Sequence, residues 1–216
     1  MSKKIMLLAL AVASVAMFAL PAAASAQELH LTGVTHFEGT GGAGTLTAEG
    51  EPTITCEQVH VTGVPSAGGT TGTLHLDFTG CHATVFGLTI KCHTSGSEKD
   101  NTITNVGTYH LITYKEQPAI LVTPETAEII CAGISTTIVH GSVIGTIVSP
   151  GINCTTPSKE MTTKFTAIGN TQEHLEYTGV KYDLTATTGK EGAAKTAGLT
   201  SSATVKSGTL GTLDCT

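Results

Sequence analysis

The sequence predicts an all-β protein: an antiparallel β-sandwich, immunoglobulin-like or related, stabilised by disulfides, with essentially no helix after its first 26 residues. Three observations carry that prediction. Threonine dominates with forty copies, beside abundant glycine and valine; Thr and Val suit a pleated, half-buried surface and are mediocre in helices. Polar and apolar residues alternate in TLHLDF (Thr73 to Phe78), TYHLITYK (Thr108 to Lys115) and TGVKYDLTAT (Thr178 to Thr187), the period of a strand with one buried face. Turn-forming clusters separate such runs roughly every ten residues, as in sandwiches and barrels.

Along the chain, Lys3 and Lys4 precede an apolar run from Ile5 to Leu20, then Pro21 and the small residues Ala24-Ser25-Ala26. This is the pattern of a secretory signal peptide cleaved after Ala26. The run is shorter than the ~20 residues of a membrane span. No cysteine follows the cut to take a lipid, and the terminal LGTLDCT has no apolar tail. The expectation is a protein secreted to the medium or cell envelope, with no membrane insertion after cleavage, in which residues 27–216 form a single all-β domain. Its turns are expected at GTGGAG (Gly39 to Gly44), PSAGGTTG (Pro65 to Gly72), TSGSEKDN (Thr94 to Asn101), SPG (Ser149 to Gly151) and TTGKEG (Thr187 to Gly192). Only EGAAKT (Glu191 to Thr196) offers a helical turn, and no fixed-period repeat suggests a solenoid.

Six cysteines, Cys56, Cys81, Cys92, Cys131, Cys154 and Cys215, all lie in the mature part. Two are followed by histidine, Cys81-His82 and Cys92-His93, which raises the question of a metal site. Zinc needs reduced, deprotonated sulfur, and neighbours on a strand point to opposite faces, so three disulfides are expected. With Gly68-Gly69 as a two-residue turn, residues whose numbers sum to 137 lie opposite one another. Val61 then faces Leu76 and Val59 faces Phe78 on one side, while His60 meets Asp77 on the other. Cys56 comes opposite Cys81, within bridging reach. Cys131 and Cys154 flank TTIVHGSVIGTIV and are paired to close it, leaving Cys92 with Cys215; six cysteines allow fifteen connectivities.

Composition excludes several functions. The formal charge is −6, or −8 once Lys3 and Lys4 are removed, and there is no arginine. Nucleic acid would require a basic surface. The guanidinium fork that grips phosphate or carboxylate is missing. There is no tryptophan, and the mature chain has only four Phe and four Tyr, few for a sugar platform or an aromatic hot spot.

The hairpin register gathers His60, His75 and Asp77 on one face, groups that suit zinc or copper, though a solvated polar face carrying an ordinary cross-strand His–Asp pair is the expected reading and no metal is expected. The remaining histidines show no metal-ligand spacing such as H-E-x-x-H. Nothing matches G-x-S-x-G or S-x-x-K. Glu173 and Glu176 in TQEHLEY fall on opposite strand faces, so they read as edge charges rather than an acid–base couple. Thr-x-Thr pairs, such as Thr45/Thr47 and Thr185/Thr187, are too irregularly spaced for an ice-binding array. No catalytic residue and no cofactor is expected.

With its signal-like start, its Thr/Gly/Ala/Val-rich body and segments such as LDFTGCHATVFGL, HGSVIGTIVSPGINC and a terminal CT, the chain resembles uncharacterised exported all-β proteins of high-GC Gram-positive bacteria. The resemblance implies an exported, disulfide-bridged β-protein and carries no activity. The first functional expectation is a non-catalytic structural, adhesive or binding module with an extracellular or cell-envelope partner. A secreted hydrolase with a site assembled from distant residues and an exported metal-binding protein using His60, His75 and Asp77 are the alternatives.

Overall fold

The computed structural model describes residues 29–95, 97, 101–131, 135–148, 158–189, 192–207 and 212–215. The expected signal peptide, the SPG turn, Cys154 and the side chain of Cys215 lie outside them. Among the described residues every helix-or-strand element is a strand, and all strand pairings are antiparallel. The difference from the expected sandwich is closure.

β1 (Leu29–Thr32) leads into eight staves. The first is β2 (Phe37–Gly41) with β3 (Gly44–Ala48), the second β4 (Ile54–Cys56) with β5 (Gln58–Pro65), and the third β6 (Thr71–Thr79) with β7 (His82–Val85). The fourth is β8 (Leu88–Thr94) with β9 (Ile103–Tyr114), the fifth β10 (Gln117–Pro124) with β11 (Ala127–Cys131), and the sixth β12 (Ser135–Gly141) with β13 (Val143–Ile147). The seventh begins as β14 (Glu160–Phe165). An excursion then carries two short hairpins, β15 (Ala167–Ile168) with β16 (Thr171–Gln172) and β17 (Glu176–Tyr177) with β18 (Val180–Lys181). The seventh stave resumes as β19 (Leu184–Thr188), and the eighth is one long strand, β20 (Lys195–Ser207). Each stave pairs with the next. β20 pairs with β14 and β19 on one side and with β2 and β3 on the other. The result is an eight-stranded up-and-down barrel.

Why a barrel forms is visible where the ring closes. GTGGAG, expected as a turn, is instead the middle of the first stave. A Cβ on Gly39 would collide with the Thr204 carbonyl, and one on Gly41 with the Ser202 carbonyl, both on β20. Only glycine lets these backbones approach so closely, which is the common use of glycine inside a strand. The first stave is therefore pressed onto the eighth, and the sheet cannot open into two layers. EGAAKT is likewise recruited: Lys195 and Thr196 start β20. Lys195 also donates to Glu51 Oε1 at 2.8 Å, tying the β3–β4 turn to that start. This contact holds the Glu51 carboxyl below the usual carboxylate range.

The predicted hairpin register is observed in β5 and β6: Val61 faces Leu76, Val59 faces Phe78 and His60 faces Asp77. The turn is wider than two residues, since Ser66 N still donates to Thr71 O. Gly68 and Gly69 stand at its centre with φ of 93° and 74°. Beyond it, Leu31 N donates to Gly69 O at 3.2 Å, and Leu29 and Leu31 are buried in the core. β1, paired with β21 (Thr212–Cys215), is thereby held at the floor of the barrel.

At the opposite rim Phe86 and Gly87 form the β7–β8 turn with φ of 49° and 79°. Such turns favour Asn-Gly, because a bulky side chain is disfavoured at positive φ. Phe86 is fully exposed and gains nothing by burial. Phe86→Asn is expected to raise stability by about 1 kcal/mol, read as a higher urea midpoint at unchanged slope. A fall in the midpoint would show that the ring has a packing role.

Candidate functional site

The interior is built by strict alternation. Val59, Val61, Leu74, Leu111, Ile120 and Val122 point into the main core, while their sequence neighbours His60, Thr73 and Thr123 are exposed. Three aromatic rings settle on glycines in adjacent staves. A Cβ on Gly63 would strike Phe37, one on Gly72 would strike Tyr109, and one on Gly145 would strike Phe165. Phe37 and Tyr109 also meet edge to face, with centroids 5.6 Å apart. Burial pushes the Tyr109 hydroxyl well above the usual phenol range, and it has no hydrogen-bond partner among the described residues.

A second apolar cluster lies outside the barrel wall. Ile112, Tyr114, Ala119, Leu121 and Ile144 face away from the main core and are covered by Tyr177 and Tyr182 of the excursion. Tyr114 also lies against the His174 ring, with centroids 4.9 Å apart.

Inside the barrel, between Phe37 towards the floor and Cys56 towards the rim, is a cavity of about 140 Å³ lined by all eight staves. Its surface is almost wholly apolar: Ile54, Leu76, Phe78, Ile129, Leu199 and Ala203 are typical of it. Leu46, Leu76, Phe78, Leu199 and Ala203 are only partly buried although they pack against the main core, because they border this space. Thr45, Asn105, Glu125, Thr163 and Ser201 are the polar residues in its lining.

The cysteines frame the rim side of this region. Cys56 is bonded to Cys81 as the register predicted, and Cys92 is bonded to Cys131. The second bond overturns the expected Cys131–Cys154 and Cys92–Cys215 pairings. Cys92 and Cys131 are directly opposed on staves four and five. Cys92 N also donates to Cys81 O at 2.9 Å. The four sulfurs thus belong to one buried row crossing staves two to five, each residue 5% exposed or less. The histidines beside them, His82 and His93, are more exposed than these cysteines, so the Cys-His pairs diverge as strand geometry requires.

The structure places His60, His75 and Asp77 on the outer face of the β5–β6 hairpin. Asp77 Oδ1 accepts from Thr104 Oγ1 at 2.7 Å and lies 3.4 Å from His75 Nε2. His60 is exposed across the hairpin. Among the described residues no three His, Cys, Asp or Glu side chains gather closely enough to hold a metal. His60→Ala is expected to change stability by less than about 0.5 kcal/mol, the range of surface substitutions. Elemental analysis of the purified protein should give sub-stoichiometric zinc and copper; stoichiometric metal lost in that variant would restore the metal reading.

Sequence reasoning missed the cavity. The available signal was glycine inside alternating runs, at Gly63, Gly72, Gly107 and Gly145, since such residues mark close approach in barrels. Compared with protein-family models, curated proteins and solved structures, the chain matches none.

Proposed function

We propose that this chain is an exported binding protein that takes up a small apolar molecule in the interior of its barrel. The observation that carries the reading is the cavity. Leaving about 140 Å³ of apolar space empty costs on the order of 3 kcal/mol by the measured dependence on cavity volume. That is a large fraction of the roughly 5–15 kcal/mol by which domains are stable. A ligand filling the space recovers it. The size matches a benzene-class molecule, since an engineered apolar cavity of about 150 Å³ stays dry and binds benzene. It is too small for a drug-sized ligand.

Export is supported by the signal-like N-terminus and by the two disulfides, which belong to an oxidising compartment. A water-exposed barrel is supported by its polarity. The inner face is apolar while the outer face of β5 and β6 carries His60, Thr73, His75 and Asp77, the reverse of a membrane barrel. Barrel closure also favours binding within the fold over strand addition at an edge. The cavity wall is mainly aliphatic and aromatic and does not gather convergent carboxylates or histidines, which favours a binding role over the hydrolase alternative.

Calorimetry with benzene and toluene on the mature, oxidised protein tests the reading. Binding with a matching rise in melting temperature is expected, and Ala203→Leu, which places a larger side chain in the cavity, should abolish it without loss of stability. Absence of any thermal shift with benzene-sized apolar compounds would remove the proposal.

A further inference from the structure

The β7–β8 hairpin runs past its neighbours at the rim. β4 meets β7 only at His82 and Ala83, and β11 meets β8 only from Cys92 to Thr94. β7 and β8 nevertheless stay paired with each other from His82 opposite Lys91 to Val85 opposite Leu88. Among the described residues, Thr84 to Lys91 thus form a two-stranded ribbon with no third strand on either edge.

The tip of this ribbon is apolar. Phe86 is fully exposed, Leu88 is 67% exposed, and Val85 beside them is only partly covered. Apolar side chains scattered singly over a surface are ordinary, but adjoining ones on a projection mark an interaction site. Phe86 also holds a φ of 49°, where a bulky side chain is disfavoured. Neither the bare ring nor the strained turn stabilises the fold, and strain of this kind concentrates at functional sites. From His82 to His93 the hairpin carries no acid, and Lys91 is its one Lys, Arg, Asp or Glu, in a chain with 17 acidic and 11 basic residues.

The size and shape of the tip select its partner. A stable protein pair buries roughly 800 Å² on each side. An aromatic side chain supplies about 150–250 Å², so Phe86 with Val85 and Leu88 falls short of that. A bilayer needs no matching pocket and closes around a projection from every side. We infer that the Phe86-Gly87-Leu88 tip inserts into the interface of a phospholipid bilayer and anchors the barrel there by its rim.

The dimensions of the ribbon suit this. Lys91 lies three residues back from Leu88, about 10 Å along a strand, and interfacial segments bury their apolar side by about 5–10 Å. Lys91 is then level with the lipid phosphates, which attract a cation. The barrel itself stays in water, so only the tip departs from the expectation of no membrane insertion. Two apolar side chains give weak, reversible anchoring, far short of a spanning segment. The inference is independent of the ligand proposed for the cavity.

Flotation of the mature, oxidised protein with vesicles of equal parts phosphatidylcholine and phosphatidylglycerol tests it. The protein is expected to rise with the vesicles. Phe86→Asn should lower the partition coefficient by about tenfold or more, the effect of withdrawing one buried aromatic side chain. That variant relieves the strained turn, so lost binding with an unlowered urea midpoint reports on the tip and not on unfolding. Leu88→Thr is a second tip variant should Phe86→Asn fail to fold. The chain has no tryptophan, so Phe86→Trp adds a single reporter whose emission should shift to the blue only when vesicles are added. Failure of the unaltered protein to float overturns the inference. Flotation undiminished by Phe86→Asn, or a tryptophan emission that vesicles leave unchanged, also overturns it. If sedimentation equilibrium without lipid shows a dimer that Phe86→Asn dissociates, the tip is an interface between copies and the bilayer assignment fails.

Discussion

Reduction of Cys56–Cys81 and Cys92–Cys131 is expected to unfold most of the protein. The bridges close separate loops, with sequence separations of 25 and 39 residues. The chain-entropy model assigns about 3.5 and about 4 kcal/mol to loops of these lengths. Because neither loop contains the other, the two contributions add to first approximation. Their sum is comparable with the whole stability of a typical domain. Urea denaturation with and without reductant measures it, and the separate Cys→Ser pairs should each remove about half. Non-reducing peptide mapping checks the pairings. It should recover Cys56 with Cys81 and Cys92 with Cys131, leaving Cys154 and Cys215 to each other, with no thiol open to alkylation. Recovery of Cys131 joined to Cys154 would contradict the ladder that places Cys131 opposite Cys92.

Phe37→Ala should cost about 3–5 kcal/mol, the range for emptying an aromatic site in a core. Phe37 is 4% exposed, meets Tyr109 edge to face and occupies the space that Gly63 leaves free. With no side chain on Gly63 to move inward, little collapses into the gap, which places the loss at the upper part of that range. The ring also bounds the cavity, so the variant should admit larger apolar ligands than benzene. Gly63→Ala alone should be destabilising because its methyl meets the ring, yet it should be tolerated beside Phe37→Ala. A double-mutant cycle reads that coupling. A loss below about 1 kcal/mol for Phe37→Ala would show that the barrel floor is loosely packed.

The strands and one hairpin were legible because their signals are local. Alternation over TLHLDF has a period of two that any half-buried strand shows, whatever surrounds it. The glycine pair at Gly68-Gly69 set the offset between β5 and β6, and with it the Cys56–Cys81 bond. That inference survived a turn wider than assumed, since a symmetric loop keeps the same residues opposed.

The other bond was hidden for a definite reason. Eight residues, 95–102, separate β8 from β9, and the pairing offset between staves three and four changes by the same amount across them. No local pattern therefore places Cys92 against Cys131. The seventh stave is likewise divided by the excursion between β14 and β19. Ile112, Leu121 and Ile144 are apolar on the outer wall only because that excursion covers them.

By itself the sequence determined an antiparallel all-β chain with one hairpin register and one disulfide, because each depends on residues near in the chain or on a period of two. Tertiary structure alone decided that the sheet closes, that Cys92 meets Cys131, and that a cavity remains inside the barrel. Closure requires the first stave to touch the eighth, and the cavity is the volume left when inward side chains from all eight staves fail to fill the lumen. Both are sums over residues far apart in sequence, and no short window of the chain contains them.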